Sequence, residues 1–348
     1  MRQLCLLSFI ILCISCTERE KVNVLQVPGY DRYCRVDPEG ESVIPNGRIV
    51  KPAGTFIRIA PDPFGLTLSP DGSIALAVHN NALTLIGTGA LEARRENSPF
   101  QGKGSYMGAA ITNDNSIAYL SGGDNGDVIV LDLSSMKIIR RISLNGNYGG
   151  QSYEGSFTGD IKLSDDGTKL YALDQFNFRL ATIDLKSSKV TSVAPVGRFP
   201  LGLEISHDGS YAYVANTGVF DYPLAPGLTA DNIEEAGLDF PPYGFPSEEA
   251  VNGVEIEGRY IPGLGTPGVP EAVSVWTIDL ESSEVVAMEK TGFRMGAMVE
   301  GLEIVGGSSP NSVAAGRNKV YVTNATNDNI SVLDPFSGKV TDTIKLNI

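Results

Sequence analysis

Carboxylate and amide side chains are the groups in this sequence that could bind a divalent metal ion. Oxygen donors suit such hard cations, and a metal-bound water would allow metal-assisted hydrolysis. We consider Asp160, Glu204 and Asn216 as candidate ligands for this chemistry. The sequence contains no His-x-x-x-His pair and no Gly-x-Ser-x-Gly elbow, and its Cys-x-x-Cys pair, Cys13 and Cys16, lies at the apolar N-terminal segment. A divalent metal ion is therefore our candidate cofactor, although no motif identifies its ligands.

The two histidines are weak candidates for acid–base catalysis. His207 lies in a turn sequence at 206–209, where we expect it to be exposed to solvent. His79 lies at a strand end, at the position that Asn216 and Asn324 occupy in other parts of the chain. We therefore favour a structural role for both histidines and keep a functional role at His79 as the second interpretation.

A glycine-rich segment at 145–160 carries Tyr148, Tyr153 and Asp160. It lacks both the Gly-Lys-Ser/Thr of a phosphate-binding loop and the glycine spacing of a dinucleotide fingerprint. We interpret it either as part of a ligand or metal site or as a packed loop between two repeats.

A second irregular segment, residues 219–271, is rich in proline and acidic residues and contains Tyr243. A loop of this length in a compact domain is either functional or a lid. We interpret it as an insertion that covers one face of the domain. The alternative is that it binds a ligand or contacts a partner, and Tyr243 and Asn216 are our ligand-binding candidates in that case.

A repeated turn sequence divides the chain into similar units. The strands of these units must position the candidate residues. It is built on Asp-Gly or Asn-rich pairs, which supply the positive φ angles of a tight hairpin. An alternating apolar strand follows each turn, and a further apolar strand ends in an aspartate that we interpret as an acceptor for backbone N–H groups. The turns lie at 66–72, 111–115, 163–167 and 205–209, and the aspartates are Asp132, Asp184, Asp279 and Asp334.

The repeat predicts an all-β fold, a β-propeller of four-stranded blades. Such a blade buries its faces only by stacking against neighbouring blades. A β-sandwich also has alternating strands, but it does not require the same turn chemistry in each unit. The predicted propeller spans residues 46–348, with an insertion at about 219–271. Its recognisable units begin near residues 63, 106, 157, 200 and 307.

Residues 320–324, Val-Tyr-Val-Thr-Asn, together with 329–334 and 337–340, resemble the YVTN-type propeller repeat, and 213–216 is a close variant. The resemblance implies a seven-bladed ring that an N-terminal strand closes, and residues 47–54 match that strand. Five units are recognisable, so either the ring closes with five or six blades or the chain is truncated relative to the family. We favour truncation, and an open ring would expose two sheet faces.

Residues 45–54, leading into 64–72, are similar to lipoproteins of Bacteroidetes-type bacteria. In those proteins such a propeller precedes a phosphoesterase domain of the alkaline phosphatase superfamily. The resemblance therefore implies a role as an accessory to a phosphoesterase.

The N-terminus predicts an export signal with lipid attachment. Arg2 precedes an apolar run at 4–14 that is too short to span a bilayer and that ends at Ser15 and Cys16. We predict a signal peptide at 1–15, lipid on Cys16 and a tether at 16–45, which would anchor the chain to the outer or inner membrane, facing the periplasm or the cell surface. Cys13 stands where a leucine is usual, so cleavage by the ordinary signal peptidase is the alternative.

The formal charge of −14 argues against nucleic acid as a partner. From the complete structural repeat and the thin catalytic inventory we predict a binding or scaffold module at the cell envelope, with a protein or small-molecule ligand on its loop face. The alternative is a metal-dependent propeller hydrolase of the lactonase type.

Overall fold

The computed structural model describes residues 27–37, 40–51, 53–97, 105–222, 225–229, 232–236, 244–299 and 301–346. They fall into two compact units, divided between Arg58 and Ile59. Within the described residues, no helix is long and apolar enough to cross a membrane.

The first unit contains a short hairpin of β1 (Ser42–Val43) and β2 (Ile49–Val50). Its turn includes Gly47 at φ +78°, and Asn46 Oδ1 accepts a hydrogen bond from Arg48 N at 3.1 Å. β2 pairs with β1 in a two-stranded sheet, and the Asn-Gly pair forms the turn of this local hairpin. That residues 47–54 complete the last blade stays a prediction.

The second unit is a β-propeller of five four-stranded antiparallel blades, which confirms the predicted fold and the five predicted starting points. In every blade the strands pair in chain order. The first blade is β3 (Pro63–Leu68), β4 (Ile74–His79), β5 (Ala82–Gly87) and β6 (Glu92–Asn97), and the second is β7 (Ala109–Ile111), β8 (Ile117–Ser121), β9 (Asp127–Asp132) and β10 (Lys137–Ser143).

The hairpin β11 (Gly146–Tyr148) and β12 (Gln151–Tyr153) precedes the third blade. That blade is β13 (Thr158–Leu163), β14 (Lys169–Asp174), β15 (Arg179–Asp184) and β16 (Lys189–Pro195).

The fourth blade is interrupted by the insertion. It consists of β17 (Pro200–Ile205) and β18 (Tyr211–Asn216), then β21 (Ser274–Asp279) and β22 (Glu284–Lys290). The insertion contains helices α1 (Ile233–Ala236) and α2 (Glu248–Asn252) and the hairpin β19 (Gly253–Ile256) and β20 (Arg259–Pro262). A hairpin of β23 (Met298–Val299) and β24 (Leu302–Glu303) leads to the fifth blade, β25 (Pro310–Ala315), β26 (Val320–Asn324), β27 (Asn329–Leu333) and β28 (Val340–Lys345).

The aspartates of the repeat hold its turns. After β3, Asp71 Oδ1 accepts hydrogen bonds from the Ser69 hydroxyl at 2.7 Å and from Ser73 N at 3.0 Å, and Gly72 adopts φ +71°. The aspartates that end the third strands accept from the backbone three residues later, as predicted. The accepted groups are Ser135 N on Asp132, Ser187 N on Asp184, Ser282 N on Asp279 and Ser337 N on Asp334, at 2.7 to 2.8 Å.

The innermost strands pack in the order β3, β7, β13, β17 and β25. A β-bulge in the inner strand brings one glycine against the backbone of the next blade, as at Gly202, where a Cβ atom would lie 2.7 Å from Asn311 O. Gly65 and Gly108 stand at the same point in the first and second blades. In the third blade this position is Asp160.

Aliphatic side chains on facing sheets form the core between blades. Leu76 and Val78 of the first blade pack against Leu120 and Ile129 of the second, and all four are fully buried. On the remaining faces of the first and fifth blades, apolar side chains stay exposed: Leu66 at 71%, Leu68 at 57%, Tyr321 at 39% and Ile344 at 43%.

Candidate ligand-binding site

A cavity of about 280 Å³ lies where three segments meet at one end of the fourth and fifth blades. The segments are the end of the insertion, the connection that follows β22, and the residues directly before β25, which include Ser308. The lining residues are Pro267, Gly268, Val273, Lys290, Thr291, Phe293, Arg294, Met295 and Ser308.

Lys290 fixes the insertion to the fourth blade. Its Nζ donates to Val269 O at 2.6 Å and also to Ala272 O. Burial, followed by the nearby cation Arg294, lowers the pKa of Lys290 to about 8, and Glu271 opposes this change. The end of the insertion is therefore held in place as one wall of the cavity.

The connection after β22 is fixed to the fifth blade. Gly292 N donates to the Ser331 hydroxyl at 3.1 Å, and Phe293 N donates to Asn327 Oδ1 at 2.7 Å. Gly292 adopts φ +60°, and a Cβ atom there would lie 2.6 Å from Cβ of Ser308. A glycine is needed at this close approach, which positions the second wall.

Two buried hydroxyl groups line the cavity without a hydrogen-bond partner among the described residues. They belong to Thr291, which is 2% exposed, and Ser308, which is 1% exposed. A buried polar group without a partner costs about 1–3 kcal/mol. Such groups point to a bound molecule or to water that completes their hydrogen bonds.

Positive charge gathers near this cavity although the chain is acidic. Arg294 lines the cavity and is exposed, and its side chain makes no hydrogen bond or ion pair within the described part of the chain. Arg198 lies close enough to contribute to the lowered pKa of Lys290, and its guanidinium donates to Val219 O at 2.9 Å.

The glycine-rich segment brings two of the predicted ligand-binding residues together. Tyr148 and Tyr153 stack with ring centroids 6.3 Å apart, on the hairpin of β11 and β12. The guanidinium carbon of Arg179 lies 3.6 Å from the ring centroid of Tyr153 and 5.5 Å from that of Tyr148. These contacts agree with the interpretation of this segment as a packed loop.

Arg179 belongs to a buried ion pair that no sequence motif marks. Its Nε donates to Asp174 Oδ2 at 2.9 Å, and the two side chains are 2% and 0% exposed. Asp174 also accepts from the Ser156 hydroxyl at 2.7 Å and from Phe157 N at 3.1 Å. The pair connects the end of the third blade to the loop that precedes it.

Asp160 lies between the third and fourth blades. Its carboxylate accepts from Ile161 N at 2.9 Å and from Leu203 N at 3.0 Å. Burial raises the pKa of Asp160 to about 6, even though Lys162 and these two N–H donors lower it. Beside it, Lys162 forms an ion pair with Glu204 at 3.2 Å.

Asn216 does not join Asp160 and Glu204. It pairs with Pro200, four residues along β17 from Glu204, which corresponds to about 13 Å. Its Nδ2 donates to Val214 O at 3.2 Å and to Ser274 O at 3.3 Å. Two further predicted residues, Tyr243 and the lipidation site Cys16, lie outside the described residues.

The histidines take structural positions. His79 is 1% exposed, with Nδ1 2.8 Å from Pro61 O and Nε2 3.0 Å from the Thr84 hydroxyl. His207 is exposed in its turn, as predicted. Across the part of the chain that the structure describes, no three His, Cys, Asp or Glu side chains are placed to hold a metal ion together.

No sequence motif marks the cavity residues Thr291, Arg294 and Ser308. They lie in connections that do not repeat from blade to blade, so a search for self-similarity passes over them. A weak signal was available, because Arg294 is a cation within a short glycine-containing segment, 291–296, that interrupts the regular repeat.

No family model and no curated protein matches the chain. Among solved structures, a functionally unknown protein from Desulfotomaculum acetoxidans is similar, with a TM-score of 0.50 and 13% identity, covering 82% of this chain and 71% of that chain. The hydrazine synthase of Kuenenia stuttgartiensis has a TM-score of 0.47 and 15% identity, covering 82% of this chain and 80% of that chain. At these identities the likeness concerns the β-propeller fold alone.

Proposed function

We propose that this chain is a binding or scaffold module of the cell envelope, which holds its ligand in the cavity beside the insertion. The observation that carries the proposal is the cavity itself, whose walls are the end of the insertion and the 290–295 connection. Each wall is fixed to a blade by its own hydrogen bonds. Pockets with mixed apolar and polar linings and fixed walls are typical of small-molecule sites.

A fragment screen by ligand-observed NMR tests the binding function. The library should contain neutral, cationic and anionic small molecules. Gly268 lines the cavity, and a Cβ atom there would make only an ordinary contact with Thr266 Oγ1 at 3.9 Å, so Gly268→Phe should fill the cavity without straining the backbone. We expect hits on the wild type that Gly268→Phe abolishes, with unchanged circular dichroism. An identical set of hits on both proteins would reject the cavity as the site.

The contacts of the candidate metal ligands support a non-catalytic function. Asp160 accepts backbone hydrogen bonds, and Glu204 pairs with Lys162. Metal analysis of the purified protein is the test. A stoichiometric divalent ion that a chelator removes would favour the metal-dependent hydrolase instead.

Attachment to the membrane through Cys16 is part of the same proposal and is supported by the apolar run that ends there. Expression in bacteria fed an alkyne-labelled fatty acid should label the wild type and leave Cys16→Ala unlabelled. Equal labelling of both proteins would reject this lipidation site.

We also propose that the chain belongs to the YVTN-type repeat family and acts beside a phosphoesterase. Support comes from the residues of β26, β27 and the turn before β28, which carry the resemblance. The neighbouring genomic sequence is the direct test. A phosphoesterase reading frame in the same operon, or in frame with this one, would support the association.

A further inference from the structure

We infer that the cavity binds a small organic oxyanion, a carboxylate or phosphate group carried on an apolar body. The inference rests on the binding function proposed above and specifies the chemistry of its ligand. It combines three independent features of the cavity: unpartnered hydroxyl groups, an unpaired cation and an apolar wall.

The hydroxyl groups provide the first feature. Thr291 and Ser308 come from different segments, before and after the β23–β24 hairpin, yet both line the same cavity. Both are buried, and neither hydroxyl has a partner within the described residues. Two buried hydroxyl donors beside one cavity fit an acceptor group with two or more oxygen atoms.

The cation provides the second feature. Arg294 stands at the same cavity with its guanidinium unpaired among the described side chains. A guanidinium binds carboxylate and phosphate oxygens with two parallel hydrogen bonds. Arg198 and Lys290 add positive charge nearby, which Glu271 partly offsets.

The wall provides the third feature. Val273, Phe293, Met295 and Pro267 line the remainder of the cavity, and Val273 is 6% exposed. An inorganic ion would leave these apolar surfaces in contact with water. A ligand with an apolar group attached to its anionic end would cover them, and the volume of about 280 Å³ suits a molecule with one ring.

Three probes of similar shape test the inference on the full chain: benzoate, phenyl phosphate and the neutral benzyl alcohol. We expect at least one of the anions to bind about tenfold more tightly than benzyl alcohol in an NMR titration, since charge-assisted hydrogen bonds are available to the anions alone. The two anions separate a preference for carboxylate from a preference for phosphate.

Single substitutions test which side chains of the cavity bind the anion. Arg294→Gln should weaken binding of the preferred anion by about tenfold and leave benzyl alcohol unaffected. The matched control is Arg140→Gln, which removes an exposed cation from β10 of the second blade and should change nothing. Thr291→Val should weaken anion binding several-fold, while the ligand-free variant unfolds at the same or a higher temperature, because an unpartnered hydroxyl is removed.

The outcomes are distinguishable. Equal affinity for benzoate and benzyl alcohol, with no effect of Arg294→Gln, would overturn the oxyanion inference and leave the cavity as a binding site. Failure of both anions to bind the folded wild type would also overturn it. In either case, fragment hits that Gly268→Phe abolishes would still support the proposed binding function.

Discussion

Asp160 of the third blade accepts a hydrogen bond from the backbone N–H of Leu203 in the fourth blade, at 3.0 Å. At this position of the bulge the first, second and fourth blades have glycine, which brings neighbouring backbones into direct contact. The carboxylate therefore takes the place of a close backbone contact and connects two blades through a titratable group.

The Asp160→Asn variant should become more stable than the wild type by a growing margin as the pH rises. The pKa of Asp160 is raised from 3.8 to about 6, so the folded state binds its proton more tightly than the unfolded chain. The stabilising contribution of the Asp160 carboxyl group to the free energy of unfolding is present below about pH 4 and is lost as the pH rises through about 6. Between these limits the wild type should lose about 3 kcal/mol relative to the variant.

Urea unfolding followed by the fluorescence of Trp276, the single tryptophan and 4% exposed, measures this difference. Asp208→Asn is the control of opposite sign, because hydrogen bonds from Ser206 and Ser210 lower the pKa of Asp208. Parallel stability curves for the wild type and Asp160→Asn would contradict the prediction.

Arg179→Met should destabilise the protein by about 3–5 kcal/mol, because it leaves the Asp174 carboxylate buried without its cation. The double variant Asp174→Asn, Arg179→Met should lose much less than the sum of the two single variants. A double-mutant cycle from denaturant unfolding gives the coupling. Additive losses would mean that the two side chains do not stabilise each other.

Gly202→Ala should cost about 1–3 kcal/mol through overpacking, since the new Cβ atom would lie 2.7 Å from Asn311 O and 2.9 Å from Cα of Ser312. Gly89→Ala is the matched control, because a Cβ atom at Gly89 meets nothing within 4 Å. Thermal unfolding of the two variants should separate them clearly. Similar melting temperatures would show that the inner strands can move apart at little cost.

Lys290→Met should release the end of the insertion from the fourth blade. We expect faster cleavage by chymotrypsin within residues 219–271, with little change at other sites, because the ammonium group that binds Val269 O and Ala272 O is removed. Lys345→Met, which removes an exposed lysine from β28, is the control. Equal cleavage rates in all three proteins would show that other contacts hold this segment.

The titration of Lys290 adds a second test. Its pKa of about 8 lies below the 10.5 of an unperturbed lysine, so the unfolded chain binds the proton more tightly. The wild type should therefore gain stability relative to Lys290→Met as the pH rises from about 8 to about 10.5.

The regular part of the fold could be predicted because each blade repeats the same local chemistry. The turn at Asp71 and Gly72 and the aspartate Asp132 are both visible as motifs, and their hydrogen bonds are local. The position of the insertion followed from the spacing between Asp184 and Asp279.

The site could not be predicted in the same way, because its parts come together through packing between blades. Thr291 and Ser308 are far from Pro267 in sequence, and their missing partners are visible only in three dimensions. The hairpin of β1 and β2 is a further feature that the repeat does not mark, because the Asn46-Gly47 turn pairs Ile49–Val50 with Ser42–Val43 locally.

The insertion leaves and rejoins the fourth blade at Asn216 and Ser274, which face each other as paired residues of β18 and β21. Paired residues of antiparallel strands lie about 5 Å apart, the separation that a two-residue turn spans elsewhere in β-proteins. The blade is therefore complete without the insertion. Another segment could replace the insertion at this junction. A fluorescent reporter with adjacent termini, or a segment with another specificity, could be spliced in here while the propeller continues as before.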